Sequence, residues 1–381
     1  MTTTGKESRR TQAERTFGWS GVGIRVECHD SAHIRWLEEF LRPSFDAGFT
    51  GPVDFTVRVV ADDSEFKERS AAAPASEELI AFVLDTSLVR LPGRFSSPGR
   101  ACAFDTKYGV HYVAGCGRRK VRIVAPTSGH DVRAPLMRVV REIAANHSRS
   151  QGELFLHAAC VANGARGVLI AGPKRAGKST LLTHLLLGQG VSYVANDRVL
   201  ASPPDRDPAF RGVPVIVCLR EGLFDYFPDL RRELVRRWYR WELSLEEARA
   251  RPDPPPRPWL DGRFGISPAQ FCALLGRSAV KSASAHSVVF PRITNDCGSF
   301  RVAEVSTDEA AELLAESVFG RAHQEASSEL FGPKTAGGSW TRHVDACREL
   351  AARLRCYRCE LGQDVSATRE TATALIQKLS G

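Results

Sequence analysis

The sequence predicts an α/β protein in two parts: a β-rich α+β domain over residues 21–130 and a larger α/β domain over 131–381. Three observations predict it. Short alternating apolar runs, punctuated by Gly and Pro, crowd residues 21–128. In 154–200 a strand, a hairpin, a second strand, a glycine-rich loop, a helix and a further strand follow one another. Helical and strand-like stretches then alternate toward the C-terminus. The 381 residues, 43% hydrophobic and 25% charged, suffice for two or three domains with a buried core. No apolar run reaches the roughly 18 residues of a membrane span, and Met1–Arg15 holds no apolar signal-peptide core. The expectation is a soluble, cytoplasmic protein with no membrane partner.

Residues 1–20 are polar and are expected to form a disordered tail. VGIRVEC, VDFTVRVV, LIAFVLD, SLVRLPG, ACAFDTKYGVHYVAG and KVRIVAP read as strands. One helix, SAHIRWLEEFLRPSF, carries Ile34, Leu37 and Leu41 at helical spacing. A second helix near 131–149 has Leu136, Val139, Val140 and Ile143 on its apolar face. LFLHAACVA and GVLIAG flank Asn163-Gly164, a strong hairpin signal because both residues tolerate positive φ. VPVIVCLR reads as a strand, 229–250 as one charged helix, and 251–258 (RPDPPPRP) as a break that cannot be helical. A short helix (SPAQFCALLG), a strand (HSVVFPRI), a helix (TDEAAELLAESVF) and a loop at 331–338 follow. A helix (341–354), a strand (355–361) and a final helix (365–379) close the chain.

The net charge of +8 comes mainly from arginine, with one dense run at 231–240. No zinc-finger or RNP signature accompanies that run, so a solvated helix face is expected there and a nucleic-acid partner is not. A basic surface also suits a nucleotide or an acidic peptide. The ten cysteines are scattered, and Cys160 and Cys218 sit in apolar runs, so buried thiols are expected rather than disulfides. Cys356 and Cys359 form a lone CxxC in an alternating run and are read as packing residues, not a zinc site.

The chemistry is concentrated in Gly172-Pro173-Lys174-Arg175-Ala176-Gly177-Lys178-Ser179-Thr180, which fits G-x-x-x-x-G-K-[ST], the P-loop pattern. Its glycines let successive N–H groups turn toward phosphate oxygens, and the following helix adds its positive end. Lys178 would reach the β- and γ-phosphates of ATP and Ser179 would ligate Mg²⁺. Lys174 and Arg175 either help hold an anion or are ordinary solvated side chains. Asp197, at a strand end shortly after the loop helix, is either a metal ligand and proton acceptor or a turn residue of Asn-Asp-Arg. Asn196 beside it could orient a partner by hydrogen bonding. His157, alone in an apolar strand, reads from the residues as a core histidine.

LHAACV, NGARGVLIAGPKRAGKSTL and VANDRV together resemble the core of the HPr serine kinase/phosphorylase family, over about 50 residues (154–200). The resemblance implies a fold like that of HPr kinase and PEP carboxykinase, with a mixed sheet. It places His157 on the family's active-site histidine, Lys178 and Ser179 on its P-loop lysine and hydroxyl, and Asp197 on the second of two aspartates near the attacking serine and the metal. Asn196 stands where the first aspartate would be, and Thr180 where bifunctional members often carry an acid. These departures bear on the reverse phosphorylase activity, not on phosphate binding. The N-terminal half does not match the regulatory domain of the bacterial HPr enzymes, and the chain more resembles HPr-kinase-related proteins of peptide natural-product clusters, which include kinases acting on a serine of a lasso-type precursor peptide.

The expected function is therefore ATP- and Mg²⁺-dependent transfer of a phosphoryl group to a hydroxyl, foremost a serine of a peptide or protein. Asp197 takes the proton, aided by His157, and Lys178 offsets developing charge. Arg220, Arg263 and Arg292 are candidate anion ligands. A small-molecule kinase and a non-catalytic nucleotide-binding regulator are the alternatives. The resemblance allows a homo-oligomer, and an edge of the N-terminal sheet is a candidate docking place for the substrate peptide.

Overall fold

The computed structural model describes residues 13–72, 79–83, 88–97, 100–115, 119–250, 262–294, 301–319, 330–332 and 340–362, with 372, 374, 375 and 378. Within them the chain is a mixed α/β protein with ten helices, a nine-stranded sheet, an eight-stranded sheet and a two-stranded ribbon. No helix among these residues is long and apolar enough to cross a membrane. The proline-rich break at 251–258 lies outside the described residues. Of the expected final helix only 372, 374, 375 and 378 are described, and they are helical.

The N-terminal sheet contains β1 (Ala13–Trp19), β2 (Val22–Cys28), β3 (Asp46–Ala47), β4 (Val53–Ala61), β5 (Leu79–Val83), β6 (Leu88–Ser97), β7 (Arg100–Asp105), β8 (Val110–Ala114) and β9 (Lys120–Ala125). Its order is β3-β1-β2-β4-β9-β8-β7-β6-β5, with β2, β4 and β9 mutually parallel and the other pairs antiparallel. Helices α1 (Ser31–Leu41) and α2 (Asp63–Ala71) lie between strands. The sheet starts inside the stretch expected to be a disordered tail. Phe17 and Trp19 are fully buried in β1, and Trp19 Nε1–H donates to Ser148 Oγ at 2.9 Å. The polar run Ala13–Thr16 conceals this strand from a hydropathy reading.

Helix α3 (Arg133–Ser150) follows. The sequence groups it with the C-terminal domain, but Leu136, Val139, Val140 and Ile143 enter the core of the N-terminal sheet. An amphipathic helix packs wherever apolar surface is open to it, and here Phe155 and Leu200 of the C-terminal sheet join the same cluster. The two parts are also tied by polar contacts. Trp36 Nε1–H donates to the Trp241 carbonyl at 2.9 Å, and the Leu245 N–H donates to Glu39 at 2.8 Å.

The C-terminal part runs β10 (Leu154–Asn163), β11 (Arg166–Ala171), α4 (Lys178–Leu187), β12 (Val191–Ala195), β13 (Arg198–Ala201), β14 (Ala209–Gly212), β15 (Val217–Arg220), α5 (Glu221–Tyr226), α6 (Pro228–Arg236), α7 (Leu245–Arg249), β16 (Arg263–Ile266), α8 (Pro268–Leu275), β17 (Ser282–Ile293), β18 (Arg301–Glu304), α9 (Thr307–Glu316), α10 (Trp340–Ala351) and β19 (Arg355–Leu361). β10 and β11 form the hairpin that Asn163-Gly164 predicts. The long β17 runs parallel to β11 and pairs with β14 and then β19. β15 pairs with β16 in the separate ribbon.

Three expectations change here. The charged stretch 229–250 is not one helix: α6 ends at Arg236, Trp238 takes φ 58, and Ser244 starts α7 with a capping box. The strand expected over VPVIVCLR is shortened to β15. Cys218 is exposed, not buried, because β15 packs only Val217 and Leu219 inward and turns alternate residues out. Cys356 and Cys359 do behave as packing residues, lying in two different core clusters served by β19.

Candidate functional site

The site is assembled where β11 gives way to α4. The loop between them is curled by three left-handed residues, Gly172 at φ 148, Arg175 at φ 71 and Gly177 at φ 102. Two are glycines, which adopt positive φ without a Cβ clash. Arg175 is not, and holding a bulky residue there costs on the order of 1 kcal/mol. The Ala176 N–H closes a turn on the Pro173 carbonyl at 3.2 Å, and the Leu181 N–H to Gly177 carbonyl bond opens the helix. Pro173, Lys174, Arg175 and Ser179 are exposed, whereas Lys178 and Thr180 are buried.

Lys178 does not point away from this loop. Its Nζ donates to the carbonyls of Gly172 at 2.7 Å and Pro173 at 3.1 Å, so the ammonium is folded back across the curl. Burial lowers its pKa, and the nearby Asp197 carboxylate opposes that shift.

Asp197 reaches the same place through a break in strand pairing. β12 and β13 both run antiparallel to β10, at Asn163–Cys160 and at His157–Leu154, with Asn196 and Asp197 between them. The Ala158 N–H still donates to the Asp197 carbonyl at 3.1 Å, so the interruption is local. Interruptions of this kind re-aim side chains. Here Asp197 Oδ1 comes to 2.9 Å from His157 Nε2. Tyr193 Oη–H donates to Asn196 Oδ1 at 2.7 Å, which fixes the side chain next to Asp197.

Burial pushes the Asp197 carboxyl up. The hydrogen bond and charge of His157, with the Arg198 and Lys178 cations, outweigh it and hold the group below the ordinary carboxylate range. Arg198 is itself fully buried and shares the Glu142 carboxylate of α3 with Arg141, at 3.0 and 3.2 Å. The His157 backbone N–H donates to Ser317 at the end of α9, and its ring lies against Phe319. The one histidine of β10 is thus held between a carboxylate and an aromatic ring.

A single cavity of about 580 Å³ joins these groups. His157, Lys174, Arg175, Gly177, Lys178, Ser179, Thr180, Asn196 and Asp197 all line it, as do Arg220 and Arg263. Arg292 is not among its lining residues, nor are Gly172, Pro173 and Ala176, which shape the loop from behind. On the far wall, sequence reasoning named Arg220 and Arg263 but missed Cys218, Tyr226 and Phe271, which also line the cavity. The period-two alternation of β15 was the signal for Cys218; nothing local marks Tyr226 or Phe271.

Chemically, the arrangement offers a cationic loop, a hydroxyl and an ionised carboxylate bonded to an imidazole, all facing one volume. Ser179 and Asp197 carry oxygen atoms of the kind that could hold Mg²⁺, and both line the cavity. No protein-family model matches the chain, and no curated protein matches it.

Proposed function

We propose that the chain is a P-loop phosphotransferase of the HPr-kinase-like kind, transferring the γ-phosphoryl group of ATP to a hydroxyl, foremost a serine of a peptide or protein. The observation that carries this reading is the convergence on one cavity of Lys178 and the His157–Asp197 pair from separate strands and loops. The G-x-x-x-x-G-K-[ST] pattern between a buried strand and a helix adds to it.

The residues divide the work. The curl from Gly172 to Gly177 and the start of α4 cradle the phosphates. Lys178 exchanges its two carbonyl partners for phosphate oxygens, and its charge offsets what builds up on the transferred group. Mg²⁺, held by Ser179 and Asp197, would neutralise β- and γ-phosphate charge. Asp197 orients the acceptor hydroxyl and takes its proton as the new O–P bond forms and the bond to the β-phosphate breaks, releasing ADP. His157 holds Asp197 in place. Asn196, bonded to Tyr193, keeps the strand break open without adding a second carboxylate.

The test is direct. Protein, ATP and Mg²⁺ are incubated with serine peptides and mass spectrometry reads the gain of one phosphate. Labelling of metabolites alone would replace the peptide acceptor by a small molecule. Tight ATP binding without transfer to any acceptor would leave a regulator. Lys178→Ala is expected to weaken ATP binding by at least about tenfold, measured by calorimetry; unchanged affinity would remove the nucleotide from this loop.

A further inference from the structure

The wall opposite the loop carries a charge arrangement that the donor does not require. Arg220 of β15 and Arg263 of β16 are directly paired across the antiparallel ribbon. Both line the cavity, while their neighbours Leu219 and Phe264 are buried in the core behind. Residues so paired have Cβ atoms about 5 Å apart, and like charges in that position repel.

On the neighbouring α6 arginines are neutralised locally. Glu233 bridges Arg236 and Arg237, and Asp229 pairs with Arg232. Neither Arg220 nor Arg263 makes an ion pair with a carboxylate among the described residues. Glu221, adjacent to Arg220, pairs instead with Arg231 at 3.7 Å. Among the described residues, the charged groups lining the cavity are five cations, Lys174, Arg175, Lys178, Arg220 and Arg263, against the carboxylate of Asp197. Three of the five stand on the loop, where a triphosphate would lie. The other two come from the β15–β16 ribbon, and no carboxylate among the described residues neutralises them.

From this we infer that Arg220 and Arg263 form a seat for a second anion, and that the phosphoryl acceptor carries a carboxylate or phosphate group which this pair grips. Two guanidinium forks on one face can offer parallel N–H donors to such a group, which a lysine pair could not do with the same directionality. The seat confers specificity by leaving repelling charges uncompensated when a neutral acceptor enters. This inference rests on the phosphotransferase reading of the same cavity.

The experiment is calorimetry on the full chain, saturated with ADP and Mg²⁺, using succinate, inorganic phosphate and the uncharged succinamide as probes. One or both anions are expected to bind at least about tenfold more tightly than succinamide, and the stronger of the two identifies the group. Arg220→Gln and Arg263→Gln should each abolish that preference while changing ADP affinity less than about twofold. The absence of any anion preference in the wild type overturns the proposal. A parallel loss of ADP affinity in both variants also overturns it, because the pair would then belong to the donor. If the wild type does not bind ADP, the phosphotransferase reading falls first. The same titration without nucleotide then decides the seat alone: an anion preference lost in both variants retains it, and none removes it.

Discussion

His157 Nε2 lies 2.9 Å from Asp197 Oδ1, and the two residues come from neighbouring strands whose pairing is interrupted at this point. The carboxylate is half-buried, and this partner helps hold it ionised. Asp197→Asn preserves the shape of the group and removes its charge. The variant should bind Mg²⁺-free ADP within about threefold of wild type and lose transfer by on the order of 100-fold or more. Calorimetry and the initial rate of peptide phosphorylation measure the two; near-normal transfer would end the assignment of Asp197 as proton acceptor.

The same contact sets the sign of a pH effect. Transfer needs the ionised carboxylate, so the rate is present above the Asp197 pKa and lost as pH falls through it. With His157 in place that pKa lies below the ordinary carboxylate range. His157→Gln removes the leading influence that lowers it, while burial continues to push it up. The acid limb of the rate profile should move to higher pH in this variant. An unmoved limb would mean that His157 does not govern the carboxylate.

Much of this site was legible because its parts are local. The loop, its helix and the hairpin before it lie within one stretch of chain, and turn chemistry and glycine spacing mark each. Asp197 followed at a strand end. What stayed hidden depends on distant pairing. Arg220 and Arg263 become partners only when β15 meets β16 across α5–α7, and no periodicity announces that. Strand β1 was obscured by its polar first half, and the single helix expected over 229–250 overlooked the stop at Trp238. Asp63–Ala71 passed unnoticed as a helix because it buries no residue and so has no apolar stripe to read.

Gly177 joins the loop to α4 with φ 102, and a Cβ there would sit 2.9 Å from Leu361 Cδ1. Leu361 can rotate away, but the left-handed backbone cannot be relieved for an L-residue. Gly177→Ala should cost about 1–2 kcal/mol of stability and, by re-aiming the loop, lower ATP affinity by about tenfold or more. Denaturant melts and calorimetry test both. A variant with unaltered affinity would show that the curl does not depend on this residue.

Glu142 on α3 accepts from both Arg141 and Arg198 through one oxygen, and all three side chains are almost fully buried. Removing the carboxylate charge takes a shared anionic partner from two buried guanidiniums, a loss on the order of 3 kcal/mol. Because Arg198 adjoins Asp197 in the chain and its guanidinium is held by Glu142, Glu142→Gln should also shift Asp197 and reduce transfer in protein that remains folded. Urea melts give the first effect. The second is read as a fall in kcat with ATP affinity retained. Stability within about 0.5 kcal/mol of wild type would show that this triad compensates no charge.

A last prediction concerns the N-terminal sheet and is independent of catalysis. His111 on β8 is 3% exposed, with its ring against Phe66 and Phe104. Burial pushes its pKa down to about 4, the Arg69 cation pushes the same way, and Glu65 opposes them. Below its ordinary value near 6.5 the unfolded chain takes up a proton that the folded chain refuses until about pH 4. Stability should therefore decline as pH falls across that interval, by on the order of 3 kcal/mol for this residue. Carboxylates held below their ordinary range, such as Glu38 and Glu65, lose their contribution only at lower pH. The difference between wild type and His111→Gln from pH 7 to 4.5 isolates the histidine: the wild-type melting temperature should fall more steeply, and parallel curves would place His111 in contact with solvent.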